Sequence, residues 1–117
     1  MATGKINKPE QTIVYNPTSL VSTNTMLGRV NMVVTGEFFF FRAIFNVNTA
    51  LAKDTELFQL PSYNYDTTTT TNLLVLKADG SDYTTVNLNN TTKRIVVYHN
   101  SGMPTGRYEL IMFGKCT

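Results

Sequence analysis

The sequence has little of what most catalytic and metal sites require. Its 117 residues contain one cysteine, Cys116, one histidine, His99, and no tryptophan. A single cysteine excludes an intrachain disulfide and paired-cysteine metal motifs, and a single histidine excludes paired-histidine metal sites. A glycine-rich phosphate loop, a serine nucleophile elbow and HExxH spacing are also absent. We therefore expect no enzyme activity and no bound metal or cofactor.

Charged residues are also scarce, at 15% of the chain, and the formal net charge is only +2. The ten lysines and arginines are spread along the sequence rather than clustered in the basic stripe that nucleic-acid binding requires. No stretch approaches the roughly 18 consecutive apolar residues of a membrane span. Residues 1–11 contain no apolar signal-peptide core. The sequence thus predicts neither nucleic-acid binding nor membrane insertion.

The acidic residues form no recognisable catalytic pair. Glycoside hydrolysis needs two carboxylates about 5 to 10 Å apart across a cleft, and the sequence alone does not place any pair of these acids relative to each other. Most of the acids lie in turn-like segments, where aspartate is favoured because its side chain hydrogen-bonds to the local backbone. The residues considered are Asp54, Glu56, Asp66, Asp79, Asp82 and Glu109.

What the sequence does contain is a series of short β-prone runs. Hydrophobic residues make up 42% of the chain, which is enough for one folded core. Apolar residues recur with a period of two over residues 26–35, and aromatic and β-branched residues fill both alternating faces of residues 37–47. These patterns predict one all-β domain over residues 1–117, with residues 1–11 as an N-terminal arm. We expect a β-sandwich, with a jelly roll as one form of it, of about seven or eight short antiparallel strands.

Turn-forming residues separate the remaining β-prone segments. Because Gly80 can adopt a positive φ, residues 72–78 and 83–88 are predicted to pair as a hairpin around residues 79–82. The other expected elements are strands over residues 11–15, 56–60, 94–98 and 107–115, loops over 18–25 and 99–106, a turn over 89–93, a connection over 48–54 with room for one helical turn, and an exposed loop or edge strand over 62–71.

Three segments resemble a pattern found in tail-fibre and receptor-binding proteins of bacteriophages. Residues 28–37 (GRVNMVVTGE) are similar to one strand of that pattern, and residues 55–61 (TELFQLP) to a second strand that ends in F-x-L-P. Residues 106–110 (GRYEL) resemble its closing G-x-Y-x-I strand. The resemblance extends over about residues 26–113 of the chain.

This resemblance implies a virion structural protein. The expected role is a homotrimeric head domain of a tail fibre or baseplate, which contacts other virion proteins and binds a saccharide on the host bacterial surface. A capsid decoration or head-fibre protein with a purely structural role is one alternative. A carbohydrate-binding module is another, disfavoured because such sites rely on stacking aromatic residues and the chain has no tryptophan.

A saccharide site on such a domain is expected among polar loop residues with a few aromatic platforms. Loops at the ends of a sandwich are exposed, and sugars need both a stacking face and planar hydrogen-bonding groups. Tyrosine and asparagine are also common in loops for turn geometry alone, and His99, at a strand boundary, also fits a structural role. The candidate ligand-binding residues are Tyr63, Asn64, Tyr65, Asp66, Asp82, Tyr83, His99, Asn100 and Arg107.

A subunit interface is expected because two predicted strands have apolar residues on both faces. A lone two-layer sandwich buries only one face of each sheet, so the second face needs a cover. Packing beneath the loop of residues 67–71 or at the sandwich ends is the alternative to a second copy of the chain. The expected interface residues are Phe38, Phe40, Leu110 and Met112.

Overall fold

The computed structural model describes residues 12–21, 25–68, 71–77 and 84–117, with residues 25–28 and 71–77 described as backbone alone. These residues form nine β-strands and no helix, which confirms the predicted all-β class. The strands are β1 (Thr12–Tyr15), β2 (Thr18–Ser19), β3 (Thr25–Thr35), β4 (Phe38–Val47), β5 (Glu56–Gln59), β6 (Thr71–Lys77), β7 (Val86–Asn89), β8 (Arg94–Val97) and β9 (Gly106–Lys115).

The strands form two antiparallel sheets that pack face to face. One has the order β1-β3-β4-β9-β6 and the other the order β2-β5-β8-β7. Phe58 of β5 joins them, since its ring centroid lies 5.3 Å from that of Phe41 and 5.5 Å from that of Phe45, both on β4. Such offset and edge contacts between aromatic rings are favourable beyond the area they bury. The structure is thus the β-sandwich that the sequence predicts.

Strand β4 lies in the middle of the five-stranded sheet and sets its two faces. Its odd-numbered residues from Phe39 to Val47 are buried, whereas the even-numbered ones from Phe38 onward are exposed or half-buried. All ten residues pair with β9, and the same ten pair with β3. Gly36, with a φ of 59°, supplies the left-handed conformation that the β3–β4 turn requires.

The core between the sheets is built from the inward residues of both. Each large apolar side chain removed from water contributes roughly 1.5–3 kcal/mol to folding. The largest fully buried side chains are Tyr108, Phe41, Phe45, Phe58, Met32, Leu57, Ile95, Met103, Leu110, Met112, Val97 and Cys116.

The hairpin predicted around residues 79–82 does not form. Strand β6 pairs with β9 in the five-stranded sheet, and β7 pairs with β8 in the four-stranded sheet, so the chain changes sheets between them. A glycine-containing turn signal marks a reversal of direction, but it does not specify which sheet the chain enters next. Residues 79–82 themselves lie outside the described part of the chain.

The turn predicted over residues 89–93 does form and joins β7 to β8. The side-chain Oδ1 of Asn89 accepts hydrogen bonds from the backbone N–H groups of Thr91 and Thr92, and Lys93 has a φ of 60°. The connection over residues 48–54 contains a turn at Lys53 and Asp54 rather than the helical turn considered from the sequence.

Candidate functional site

The sandwich has two ends, and the structure divides the predicted ligand-binding residues between them. At one end, the tyrosine end, lie the β3–β4 turn, residues 60–68 and the β7–β8 turn. At the opposite end, the pocket end, lie residues 48–55, 84–85 and 98–105. Tyr63, Asn64, Tyr65 and Asp66 are therefore far from His99 and Asn100, and Arg107 is exposed at the start of β9. Asp82 and Tyr83 lie outside the described residues.

Tyr65 is a core residue rather than the exposed stacking platform that was predicted. Its side chain is only 2% exposed, and its ring meets that of Phe39 edge to face at 5.2 Å. Its hydroxyl donates a hydrogen bond of 2.7 Å to the Pro61 carbonyl, and its backbone pairs with Cys116. The bridge to the C-terminal residues turns the ring inward, so it cannot contact a surface ligand.

The neighbouring polar residues of the tyrosine end bind one another. The hydroxyls of Tyr15 and Tyr63 are 2.5 Å apart, and Asn64 Oδ1 accepts a hydrogen bond from Asn90 Nδ2. The carboxylate of Asp66 accepts hydrogen bonds from the backbone and the hydroxyl of Thr68. These contacts hold the local loop structure, which is the ordinary role of such residues in turns.

The tyrosine end should make the protein sensitive to alkaline pH. The hydrogen bond with Tyr15, together with burial, raises the pKa of Tyr63 to about 12, and burial raises that of Tyr65 still further. Because the folded state favours the neutral phenols, their contribution to stability is complete below about pH 10 and is lost as the pH rises toward about 12. Urea titrations at about pH 8 and about pH 11 should show this fall in the free energy of unfolding. The fall should be smaller for Tyr63→Phe, and an equal fall would contradict the assignment.

A pocket of about 300 Å³ opens at the pocket end of the sandwich. Its walls come from three separate segments: the turn before β5, the residues before β7 and the loop after β8. This arrangement brings His99 and Asn100, both predicted ligand-binding residues, together with three residues that the sequence analysis did not select. The lining residues are Lys53, Thr85, Tyr98, His99 and Asn100.

Backbone hydrogen bonds fix the loop after β8 that forms one wall of the pocket. The N–H groups of Tyr98 and His99 both donate to the Thr85 carbonyl, at 2.8 and 3.3 Å, and Gly102 N–H donates to the His99 carbonyl. The ring nitrogen Nδ1 of His99 accepts a hydrogen bond from the backbone N–H of Ser101 at 3.1 Å. The loop is therefore held by its own backbone.

Gly102 anchors this loop to the body of the domain. Leu51 and Met103 exchange two backbone hydrogen bonds of 2.9 and 2.8 Å, and the buried Thr84 hydroxyl donates to the Gly102 carbonyl at 2.8 Å. Gly102 has a φ of 72°, and a Cβ atom there would lie 2.1 Å from the Leu51 carbonyl oxygen. Only glycine fits this close crossing of two backbones.

The turn that carries Lys53 forms the facing wall. Asp54 N–H donates to the Val97 carbonyl at 2.8 Å, and the Thr55 hydroxyl donates to the Ala52 carbonyl at 2.7 Å. Asp54 takes a positive φ of 71°. The Lys53 side chain extends from this turn, and its Nζ lies 5.4 Å from the centroid of the Tyr98 ring.

The pocket offers an aromatic surface beside polar groups. Tyr98 is 56% exposed, so a large part of its ring is open to solvent. Among the residues that the structure describes, no side-chain hydrogen bond or ion pair engages Lys53, Thr85, Tyr98 or Asn100. Their ammonium, hydroxyl and amide groups can therefore donate to a ligand that covers the Tyr98 ring.

Tyr98 could have been found from the alternation of β8. Ile95 and Val97 point inward. Because side chains alternate along a strand, Val96 and Tyr98 belong to the outward set. The sequence predicts Tyr98 as the last residue of a strand, and the candidate ligand-binding residues His99 and Asn100 come from the loop after it. No comparable local signal marks Lys53 or Thr85, because the fold alone brings them beside Tyr98.

An apolar row crosses the outer face of the five-stranded sheet. Val14, Val33, Phe40 and Phe113 are opposite one another on β1, β3, β4 and β9. Val14, Phe40 and Phe113 are exposed, and Phe38, beside the row, is 58% exposed. Two of the predicted interface residues, Phe38 and Phe40, therefore do lie on an outer surface.

Leu110 and Met112, the other two predicted interface residues, are wrongly placed by the sequence analysis. Both are 0% exposed within the single chain, so neither can contact a second copy. The register pairs Leu110 with Ala43 and Met112 with Phe41, which face the other sheet. A strand with apolar residues on both faces does not reveal from its sequence which set points inward.

The outer face of the four-stranded sheet is polar by contrast. Asn87 and Asn89 of β7 are exposed on it, and Arg94 of β8 forms an ion pair of 2.6 Å with Glu56 of β5. An antiparallel sheet commonly has one buried and one solvated, polar face. The five-stranded sheet departs from this pattern, since apolar side chains dominate one region of its outer face.

Comparisons of the chain with protein families, curated proteins and solved structures find no match. Within the described residues, no three histidine, cysteine or acidic side chains come together as a group that could hold a metal ion. The same part of the chain contains no helix long and apolar enough to cross a membrane. The fold and the pocket define the molecule as a β-sandwich with an open, partly aromatic pocket at one end.

Proposed function

We propose that this chain is a receptor-binding head domain of a bacteriophage tail fibre or baseplate, which holds a saccharide of the host bacterial surface in the pocket beside Tyr98. The observation that carries the proposal is the exposed Tyr98 ring, set in a wall that backbone hydrogen bonds hold rigid. An aromatic face with nearby donors is what saccharide recognition uses, and a preformed site loses little entropy on binding. The sequence resemblance to phage receptor-binding proteins supports the virion location.

The pocket suits weak binding at each single site. It is open to solvent, so one saccharide should bind with a Kd of roughly millimolar to micromolar. Firm attachment to a cell then requires several pockets that engage one surface, because linked sites raise the effective concentration of the second contact. A homotrimer meets this requirement.

The apolar row supplies the surface for such an assembly. We infer that Phe38, Phe40 and Phe113 pack against further copies of this chain, because the equivalent face of the other sheet is polar and needs no cover. Exposed apolar patches of this kind mark interaction surfaces on soluble domains. A capsid decoration protein would use the same row to dock on a capsid shell, so saccharide binding is the property that separates the two functions.

Saccharide binding can be tested with paired substitutions at the two ends of the sandwich. Tyr98→Ala and Asn100→Ala should each reduce binding to host cells or to immobilised bacterial polysaccharide at least about fivefold, because each removes a contact of about 1 kcal/mol. Asn64→Ala, at the tyrosine end, should bind like the wild type. Bacterial pull-down and a glycan array with the purified variants measure both effects.

Two results would count against the proposal. A wild-type protein that binds no bacterial surface and no saccharide would favour the capsid decoration role. Loss of binding in Asn64→Ala together with wild-type binding in Tyr98→Ala would place the site at the tyrosine end instead. Unfolding curves and solution masses of all variants must match the wild type for either comparison to hold.

A further inference from the structure

We infer that the ligand of the Tyr98 pocket is an anionic saccharide, one in which a carboxylate or phosphate group contacts Lys53 while the apolar face of the sugar covers Tyr98. This inference rests on the proposed saccharide-binding function and adds the chemical class of the ligand. It comes from the charges of the described lining residues, among which Lys53 is a cation and none is acidic.

Lys53 is a cation without an anionic partner in the described structure. Its Nζ lies over the Tyr98 ring, 5.4 Å from the ring centroid. Asp54, its neighbour in sequence, forms no ion pair with it, and the two ion pairs formed by the described residues join Arg42 to Glu109 and Arg94 to Glu56. A ligand anion would supply the partner that the protein does not.

The placement of Lys53 over the aromatic ring also favours an anion. A cation over a tyrosine ring gains a modest attraction. That contact holds the ammonium at the rim of the pocket, where a ligand carboxylate or phosphate can form a charge-assisted hydrogen bond with it. Any sugar that covers the ring must move the ammonium aside, and only an anionic sugar provides a charge interaction in return.

The other lining groups fit the neutral part of such a ligand. The Thr85 hydroxyl, the Tyr98 hydroxyl and the Asn100 amide each offer a donor and an acceptor, which sugar hydroxyls can pair with. None of these groups has a side-chain hydrogen bond within the residues described. The pocket thus combines one charged contact with several neutral ones, as expected for an acidic monosaccharide unit.

The tyrosine end provides a matched control for Lys53. Lys93 also lies over a tyrosine, with Nζ 6.0 Å from the Tyr65 ring centroid, but its ammonium donates to Asn90 Oδ1 at 2.8 Å. Lys93→Met and Lys53→Met remove the same charge and keep a similar side-chain length. They differ in whether the lysine lines the pocket.

The test is a glycan array of matched saccharides. Glucose is compared with glucuronic acid, galactose with galacturonic acid, and mannose with mannose 6-phosphate, each at about 0.05 M and about 0.5 M sodium chloride. At low salt, the wild type should prefer an acidic member at least about fivefold over its neutral counterpart, and high salt should reduce the preference. Lys53→Met should abolish it, and Lys93→Met should keep it. The carboxylate and phosphate pairs identify which anion is bound.

The outcomes separate the ligand class from the function. Equal binding of acidic and neutral members, lost in Tyr98→Ala, would overturn the anionic ligand and leave the saccharide-binding function intact. A preference that survives Lys53→Met would likewise overturn the role of Lys53. Absence of binding to every saccharide on the array and to host cells would overturn the function and with it the inference.

Discussion

Replacing Gly102 with alanine is expected to destabilise the domain by about 3–5 kcal/mol. A non-glycine residue at a φ of 72° costs about 1–2 kcal/mol. The added Cβ would also lie 2.1 Å from the backbone oxygen of Leu51, so the loop must move. Movement breaks the Thr84–Gly102 and Leu51–Met103 hydrogen bonds, each of which contributes about 0.5–1.5 kcal/mol. This is a large share of the 5–15 kcal/mol that a domain usually has.

Gly36→Ala is the control for the backbone conformation alone. Gly36 has a φ of 59° in the β3–β4 turn, so alanine there carries the same conformational cost at the opposite end of the sandwich. Urea unfolding should show a much smaller loss for Gly36→Ala, of about 1–2 kcal/mol. Saccharide binding should be lost in Gly102→Ala even where the protein remains folded, because the displaced loop carries Tyr98 and Asn100. Equal unfolding midpoints for the two variants would show that the Leu51 crossing is not close.

Two adjacent phenylalanines of β4 should behave in opposite ways when they are replaced. Phe41→Ala is expected to cost about 3–5 kcal/mol of folding free energy, because Phe41 is fully buried against Phe58 and its removal leaves a cavity. Phe40 is 43% exposed on the apolar row, so Phe40→Ser should cost about 1 kcal/mol. Its effect should appear instead in assembly, where it removes apolar surface from the proposed subunit contact.

Urea unfolding and light scattering together measure this contrast. The wild type at micromolar concentration should have three times the 13.1 kDa mass of one chain. Phe40→Ser should be smaller and still folded. A wild-type protein with the mass of one chain would refute the trimer, whereas similar unfolding losses for both variants would refute the register of β4.

Hydrophobic periodicity was sufficient to predict the sandwich. The aromatic and β-branched residues over 37–47 identified β4, and the turn predicted over residues 89–93 does join β7 to β8. The predicted partner of β6 was wrong because a turn signal is local, whereas the pairing of β6 with β9 depends on the whole sheet. The prediction of which β9 residues point inward was wrong for a related reason. Both faces of β9 are apolar, and only the register against β4 determines whether Leu110 or Ile111 points into the core.

The candidate site was predictable only in part. His99 and Asn100 were selected because they occupy a polar loop after a strand, which is a local property. Lys53 and Thr85 reach the same pocket from segments far away in sequence, so no spacing could indicate them. Tyr65 was selected for its polar neighbours, but its backbone bridge to Cys116 turns the ring into the core. Burial of that kind depends on the end of the chain reaching back to the loop.

Both ends of the described chain lie at the same end of the sandwich, opposite the pocket. Thr12 opens β1 opposite Thr35, at the tyrosine end, and Thr117 is hydrogen-bonded to Asn64 at the same end. Both ends of the described chain therefore leave the sandwich on the side away from Tyr98. A stalk or a purification tag joined after Thr117 would therefore begin at the end of the sandwich opposite the pocket. The domain can accordingly be tethered to a sensor surface through Thr117 without blocking the pocket beside Tyr98.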